Sequence, residues 1–353
     1  MSKRFARKTK NTMSAVTALE KAQELVFAPM TFQAVASLLD FGILQYINNA
    51  PATKEQIIQE LNLNEYIVVT LLQIAETTEI VEMENKMYSL TKKGQAFLLD
   101  DMTIANFKFV KDVCYLGASE LTNSFKDAKP RGLHKFISSS ETIYPILSEL
   151  PENIKKSWYE FDHLYSDNCF EQVLEIILQK HLEIVDIGGN TGKFERVCLK
   201  HPSNCKITML DLPQNISCII NNPELTGCNF YPINVLAENV KYPKLSNCAI
   251  LMSQFLDCFS KEQILKILTD LKEQMNDDSS IYILEPFTDN QNFKAAQLSL
   301  THISLYFTTM ANGCSKMYTQ VEMVDLIESA GLTLVESYNN LGPFDYTLLE
   351  CKK

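Results

Sequence analysis

The sequence contains no apolar run that approaches the roughly 18 residues a membrane-spanning helix needs. Its first residues are basic and no apolar segment follows them, which does not match a secretory signal. There is also no Cys-x-x-Cys pair among the ten cysteines, and several, such as Cys198, Cys248 and Cys258, lie in apolar surroundings. This pattern argues against a disulfide framework and a zinc site. We therefore expect a cytoplasmic protein with reduced core cysteines, no bound metal and no membrane partner.

Positive charge is scarce, because 32 lysines and arginines stand against 43 acidic residues, a net charge of −11. A surface of this sign repels nucleic acids and anionic membranes. The exception is residues 2–10, which hold five basic side chains and no acid. Since nothing else basic follows them, a solvated tail explains them better than a nucleic-acid-binding arm. We expect no nucleic-acid partner.

Glycine is also scarce, with 11 in the chain, yet three glycines fall close together at Gly188, Gly189 and Gly192. A short β-branched run at residues 184–187 precedes them, and a helical pattern begins at Phe194. The segment therefore predicts a strand, a tight turn and a helix. Without Cβ atoms the turn can approach a ligand closely, and the N–H groups at the helix start face the same space. A nucleotide fits such a turn.

A carboxylate follows at the expected distance, because Asp211 comes directly after the predicted strand at residues 206–210. An acid at this point can accept hydrogen bonds from both ribose hydroxyls. Asp186 adds a second carboxylate to the site. The spacing Asp-x-Gly-Gly-x-x-Gly differs from the dinucleotide fingerprint, and an anionic rim repels a pyrophosphate. The pattern disfavours a nicotinamide oxidoreductase and suits a positively charged nucleoside such as S-adenosylmethionine (SAM).

Residues 1–103 predict a mostly helical domain of winged-helix type. The evidence is helical apolar spacing over residues 13–48, a capping box at Thr53, a helix opened by Asn64, and a small hairpin over residues 80–90. In a DNA-binding module the helix at residues 64–72 would enter the major groove, but it has no Lys or Arg. We therefore prefer dimerisation to DNA binding and expect a homodimer.

The rest of the chain predicts an α/β fold. Residues 104–180 look mostly helical and are expected to connect the two domains and roof the pocket. In residues 181–353 strands alternate with helices, which predicts a Rossmann-like doubly wound sheet that ends in a hairpin. The strands are expected at residues 184–187, 206–210, 229–233, 248–253, 280–284, 332–338 and 346–351. Ligands bind at the carboxyl ends of such strands.

Together these features resemble the class I SAM-dependent O-methyltransferases of small molecules, of the plant phenolic, acetylserotonin and bacterial antibiotic-tailoring type. The likeness rests on the glycine motif at residues 185–192, on Asp211-Leu212-Pro213, on the block at residues 252–263 and on the winged-helix order. It implies a methyltransferase that moves the SAM methyl group to an oxygen of a small aromatic or phenolic acceptor. The product S-adenosylhomocysteine (SAH) would then be released.

The resemblance also implies site residues. For the cofactor these are Asp186, Gly188, Gly189, Gly192, Asp211, Leu212, Asn234 and Ser253. Gly188 and Gly189 would approach the methionine part of SAM and Asp211 would hold the ribose. Asn234 would accept from the adenine amino group through its amide oxygen, unless it is an ordinary loop residue.

The acceptor would contact a second set of side chains, Phe161, Tyr165, His302 and Tyr306. Their aromatic members fit a pocket for a flat molecule, but at helical spacing they fit a protein core equally well. His302 and His163 are either structural histidines or replacements for a missing catalytic base.

One position departs from the family. Its catalytic block resembles Leu-His-Asp-Trp-Ser-Asp-Glu-Gln, whereas residues 256–263 read Leu-Asp-Cys-Phe-Ser-Lys-Glu-Gln, so Asp257 stands where the catalytic histidine usually sits. A histidine, with a reference pKa of about 6.5, suits proton removal from a phenol better than an aspartate, with about 3.9.

Three interpretations of Asp257 remain open. It is a base whose pKa is raised by a neighbouring Glu285, which would then also be catalytic. It only orients an already acidic acceptor, with proximity supplying most of the catalysis. Or activity is lost and the chain is a SAM-binding regulatory protein.

Overall fold

The computed structural model describes residues 13–136 and 140–353, so the basic residues 2–10 lie outside the described residues. The chain forms two compact units, one that ends at Phe107 and one that comprises Lys108–Lys353. In the described ranges no single helix is long and apolar enough to cross a membrane. Only two consecutive N-terminal helices, Ala15–Asp40 and Ile43–Asn49, pass by length and composition, as a pair bent by 64°.

Over its described residues the first unit is helical apart from one hairpin. Its elements are α1 (Ala15–Asp40), α2 (Ile43–Asn49), α3 (Lys54–Glu60), α4 (Glu65–Thr77), β1 (Val81–Glu84), β2 (Met87–Leu90) and α5 (Lys92–Leu99), and α6 (Asp101–Phe109) continues past its end. The predicted capping box is confirmed, because Thr53 accepts the Gln56 N–H and the Gln56 side chain accepts the Thr53 N–H at 2.8 Å. Asn64 caps α4 as predicted. Leu38, Ile43, Ile57 and Leu72 are buried in the core of this unit.

The second unit alternates helices and strands. Its further helices are α7 (Leu121–Asp127), α8 (Glu152–Ser166), α9 (Phe170–Leu178), α10 (Lys193–Lys200), α11 (Pro213–Ile219), α12 (Lys261–Gln274), α13 (Lys294–Tyr306) and α14 (Gln320–Ser329). Its strands are β3 (Glu183–Ile187), β4 (Lys206–Asp211), β5 (Asn229–Pro232), β6 (Cys248–Ser253), β7 (Ser280–Glu285), β8 (Thr333–Leu341) and β9 (Tyr346–Lys352).

These seven strands form one sheet in the order β5-β4-β3-β6-β7-β9-β8. All neighbours are parallel except β9, which runs antiparallel to both β7 and β8. The predicted α/β sheet with a terminal hairpin is confirmed. β6 and β7 are buried along nearly their whole length, which explains their almost continuous apolar sequence. Because the chain leaves β3 first to one side, to β4, and later to the other, to β6, a crevice opens at the carboxyl end of β3.

Candidate active site

Two adjoining cavities lie at this end of the sheet. The larger has a volume of about 540 Å³ and reaches from the glycine turn to aromatic side chains of α8 and α13. The smaller, of about 60 Å³, lies beside the same turn. Asp162, Gly188, Asn190 and Gln254 line both, so the cavities share one wall.

The glycine turn after β3 is shaped by close packing. Gly188 has φ of +87°, and a Cβ there would lie 2.3 Å from the Phe255 ring. A Cβ on Gly189 would lie 2.5 Å from Oε1 of Glu195. Any larger residue at either position would therefore force the turn or these side chains to shift. Gly192, with φ of +78°, caps α10 and lines neither cavity, so it turns the chain.

Asp211 ends β4 in the wall of the larger cavity. Its Oδ2 accepts the Asn190 backbone N–H at 2.9 Å, and its Oδ1 accepts the Leu212 N–H at 2.6 Å and the Asn215 amide at 2.8 Å. Burial raises the pKa of this carboxyl, and the three hydrogen bonds act in the opposite direction. A carboxylate offers about four lone-pair sites, so a diol donating two hydrogen bonds would have to share a site with Asn215.

Leu212 and Asn234 also line the larger cavity. The Oδ1 of Asn234 already accepts the Leu236 N–H at 3.0 Å. This oxygen, which the sequence assigned to adenine, therefore has one lone pair left for a ligand.

Two side-chain polar atoms at the carboxyl end of β6 lack hydrogen-bond partners among the described residues. Neither Ser253 Oγ nor Gln254 Oε1 has a hydrogen-bond partner among the described residues, although both are buried. Ser253 lines the smaller cavity, and Gln254 has the strained φ of +44° for a residue with a side chain. Buried polar groups without a partner are costly, so a ligand at this wall would satisfy them. The sequence identified Ser253 but not Gln254, because a positive φ leaves no signal at a glutamine.

Two carboxyl groups meet beneath the turn. Asp186 on β3 is 2% exposed, and Glu195 on α10 is fully buried, with no amide, hydroxyl or cationic group of the described residues donating to either of its oxygens. Burial raises the pKa of Asp186 to about 7 and that of Glu195 well above its usual range, and the mutual repulsion adds to the second shift. A proton shared between them avoids two adjacent buried charges.

This pair predicts a pH dependence of folding. Because both folded-state pKa values are raised, the stabilisation by the protonated pair is complete below the pKa of an unfolded carboxyl and is lost as the pH rises through about 7. Glu195→Gln removes one of the acids. We expect the free energy of unfolding of this variant, relative to that of the native protein, to be higher at about pH 8 than at about pH 5.

Urea denaturation at the two pH values measures this difference. Glu273→Gln, at an exposed position of α12, is the matched control and should show no such change. An equal pH dependence in both variants would contradict the shared proton.

The other half of the larger cavity is aromatic. Phe109 stacks on Phe161 with ring centroids 3.9 Å apart, and Trp158 donates from Nε1 to the Tyr306 hydroxyl at 2.6 Å. Phe161, Tyr165 and Tyr306 therefore line the cavity together.

The structure does not bring His302 to this wall. Its side chain is exposed, and its Nδ1 lies 2.7 Å from the Leu298 carbonyl oxygen. His163 lines only the smaller cavity, with Nε2 3.5 Å from Thr191 Oγ1 and Nδ1 3.5 Å from Asp167 Oδ1. Neither histidine lies in the wall that holds Asp257.

Asp257 lies on a short 3-10 turn, Leu256–Cys258, and lines the larger cavity. It is 5% exposed, and Cys258 Sγ lies 3.4 Å from its Oδ1. Burial raises the pKa of Asp257 to about 7, and the charge of Asp162 adds to the shift. A carboxyl group with this pKa is half ionised near neutrality, as an ordinary histidine would be.

Glu285 ends β7 and is buried near Asp257, as the sequence predicts, but its carboxyl group bonds to the backbone. Its Oε1 accepts the backbone N–H groups of Phe255 at 3.1 Å and Leu256 at 3.0 Å, and the residue does not line either cavity. Burial, with the charge of Asp257, raises its pKa well above the usual range. Glu285 therefore fixes the turn that carries Asp257 rather than reaching a ligand.

Asp162 on α8 is an acid that the sequence did not single out. It lines both cavities, its Oδ2 accepts from the Asn190 amide at 3.0 Å, and burial raises its pKa to about 6. It thus joins α8 to the glycine turn.

Comparisons with known proteins identify the chain's relatives. A family model described as an O-methyltransferase domain matches residues 149–333, more than half of the chain, and a Dimerisation2-like domain matches residues 20–88. The L-tyrosine C(3)-methyltransferase of Streptomyces lavendulae is 26% identical over 47% of the chain, a match that spans only 46% of that enzyme. The demethylspheroidene O-methyltransferase of Rhodobacter capsulatus is 21% identical over 91% of the chain and 79% of its own length.

The fold has solved counterparts as well. Human N-acetylserotonin methyltransferase, solved in complex with SAM, matches with a TM-score of 0.66 and 14% identity over 98% of this chain and 99% of that one. At this identity the likeness shows the fold.

Proposed function

This chain belongs to the O-methyltransferase family, and from that premise we propose that it transfers the methyl group of SAM to an oxygen of a small aromatic acceptor and releases SAH. The observation that carries the proposal is a single cavity with a glycine turn and Asp211 in one half and a buried carboxyl, Asp257, among aromatic rings in the other. Such a cavity holds a nucleoside and a flat acceptor side by side.

The residues of the first half fit SAM. Asp211 would hold the ribose, and Leu212 and Asn234 would border the adenine. The methionine part would lie along Gly188 and Gly189, where Ser253 Oγ and Gln254 Oε1 need partners. When bound there, SAM supplies a methyl group made electrophilic by its sulfonium.

In the second half Asp257 acts on the acceptor. Its ionised carboxylate takes the acceptor's hydroxyl proton as that oxygen becomes bonded to the methyl carbon. Because the pKa of Asp257 is raised, it lies closer to the pKa of a phenol than that of an ordinary aspartate does, which makes proton transfer easier. The aromatic walls exclude water and hold the acceptor's ring.

The proposed assembly is a homodimer, with residues 1–103 as its dimerisation domain, residues 104–180 as connector and pocket roof, and residues 181–353 as the SAM-binding domain. The Dimerisation2-like match supports it. So do several large apolar side chains of α1 that are exposed in the single chain, Leu25, Val26, Phe27 and Met30.

Calorimetry with SAM, SAH and NAD tests the proposal. We expect SAM and SAH to bind and NAD not to bind. Asp211→Ala should weaken SAM binding about 10- to 100-fold, because hydrogen bonds to a charged group contribute about 1.5–3 kcal/mol. Asp325→Asn, at an exposed position of α14, is the control and should leave the affinity unchanged. Binding of NAD, or a SAM affinity that Asp211→Ala does not alter, would overturn the SAM site.

A further inference from the structure

The larger cavity has acidic side chains beside its aromatic wall. Asp162 and Asp257 both line this cavity, Asp162 also lines the smaller one, and the charge of Asp162 raises the pKa of Asp257. Among the described lining residues no histidine occurs, and the one Lys or Arg is Lys129, which is exposed and accompanied by an exposed Glu141. Within the described lining of the larger cavity no buried cationic side chain offsets the two acids, whereas on the side of the smaller cavity His163 lowers the pKa of Asp162 and Asp167 raises it.

We propose that the acceptor is an aromatic molecule that also carries an amino group, protonated as an ammonium, and that Asp162 is the residue that binds this group. The inference rests on the proposed function and adds the class of its substrate. Asp257 then remains available to take the proton of the hydroxyl group that becomes methylated.

The contacts of Asp162 fit this role. Its Oδ2 is engaged with the Asn190 amide at 3.0 Å, whereas its Oδ1 accepts no hydrogen bond from a described residue. The neighbouring wall is formed by Trp158, Phe161 and Tyr306, whose ring faces attract a cation. An ammonium at this point would lie at one free carboxylate oxygen with aromatic rings nearby.

Electrostatics ranks the alternatives. A neutral phenol would leave two buried acids that repel each other, and an acceptor with a carboxylate would add a third negative charge. An ammonium reduces the repulsion between Asp162 and Asp257 and stabilises both in the ionised form. We therefore expect the order amine, neutral, carboxylate for acceptors with the same ring.

The chain contains its own reporter of binding. Trp158 is its single tryptophan, is buried in this wall and bonds to Tyr306 at 2.6 Å. Quenching or enhancement of its fluorescence thus follows occupation of the acceptor half without any turnover.

The experiment titrates the full-length protein, saturated with SAH, with tyramine, 4-ethylphenol and 3-(4-hydroxyphenyl)propionate. We expect tyramine to bind about tenfold or more tightly than 4-ethylphenol, and the propionate most weakly. Asp162→Asn should remove the preference for tyramine and leave 4-ethylphenol affinity within about twofold. Tyramine affinity should rise with pH through about 6 in the native protein, as Asp162 ionises beside His163 and Asp167, and the rise should be smaller in the variant, where Asp257 is the acid that still ionises in this wall.

A second variant separates charge from structure. Asn190→Gly keeps the positive φ of 53° at this position and the backbone N–H that Asp211 accepts, but removes the amide that Asp162 accepts. We expect tyramine selectivity to persist in it.

Three results would overturn the inference. Equal affinity for tyramine and 4-ethylphenol, with SAM binding intact, refutes the amine and leaves the proposed function standing. A loss of SAM affinity in Asp162→Asn, with tyramine selectivity unchanged, assigns Asp162 to the cofactor's own ammonium. Failure of SAM and of every probe to bind refutes the proposed function as well.

Discussion

Asp257→Asn is expected to lower turnover about 10²- to 10⁴-fold while SAM still binds, because the variant keeps the shape of the side chain and loses only the proton acceptor. In the native protein kcat/KM should rise with pH through about 7, where Asp257 ionises, and then level off. In the variant the residual rate should lack this rise. The rate of SAH release measures the turnover of the native protein and of the variant at each pH, with an acceptor found in a panel of phenols and hydroxylated aromatic amines.

Asp162→Asn is the matched control, since it removes the other acid of the same cavity. It should keep the pH-dependent rise but move it to lower pH, because a like charge no longer raises the pKa of Asp257. Unchanged turnover in Asp257→Asn would eliminate the base and leave Asp257 as an orienting group. SAM binding without SAH release from any acceptor would instead favour a regulatory protein.

Much of the fold follows from local signals in the sequence. The capping residues Thr53 and Asn64 start their helices where predicted. The strands were placed to within three residues at their ends, because each is a short apolar run between turn residues. These local signals do not give the order of the strands in the sheet. That order depends on the parallel crossovers and on the terminal hairpin.

That the glycine turn and Asp211 lie beside the same cavity could be predicted, because each stands at the end of one of two neighbouring strands. Gly188 and Gly189 follow a strand, and Asp211 ends the next one. Asp162 was not predictable, since it reaches the turn from a helix 28 residues earlier through its contact with Asn190. Such contacts depend on how α8 packs over the crevice, which no local pattern records.

The prediction that His302 contacts the acceptor conflicts with the apolar pattern of its own helix. Leu300, Ile303, Tyr306 and Phe307 are buried and recur every three or four residues. On a helix that spacing puts position 302 on the opposite side, in solvent. The spacing of the apolar residues in the sequence therefore predicts that His302 is exposed, whereas the resemblance to the family implies that it contacts the acceptor.

Glu285 illustrates a different limit. Its position at the end of β7, next to β6, predicts closeness to the turn that follows β6, but the sequence could not tell which atoms it would contact. The structure shows its carboxylate bonded to backbone amides of that turn.

Glu285→Ala is therefore expected to destabilise the fold and to abolish most turnover. Two buried N–H groups, of Phe255 and Leu256, would lose their acceptor, at about 1–3 kcal/mol each. Urea denaturation should show this loss. The Phe255 ring that packs on Gly188 would loosen with the turn, so SAM affinity should fall too.

Glu285→Gln separates positioning from proton transfer. Its amide oxygen still accepts the two N–H groups, and the native carboxyl has a pKa well above the usual range, so a neutral side chain is a close substitute. We expect this variant to retain most stability and the rise of kcat/KM through about pH 7 that belongs to Asp257. If the rise disappeared in Glu285→Gln and persisted in Asp257→Asn, the base would be Glu285, and its hydrogen bonds to the turn would have to open during each catalytic cycle.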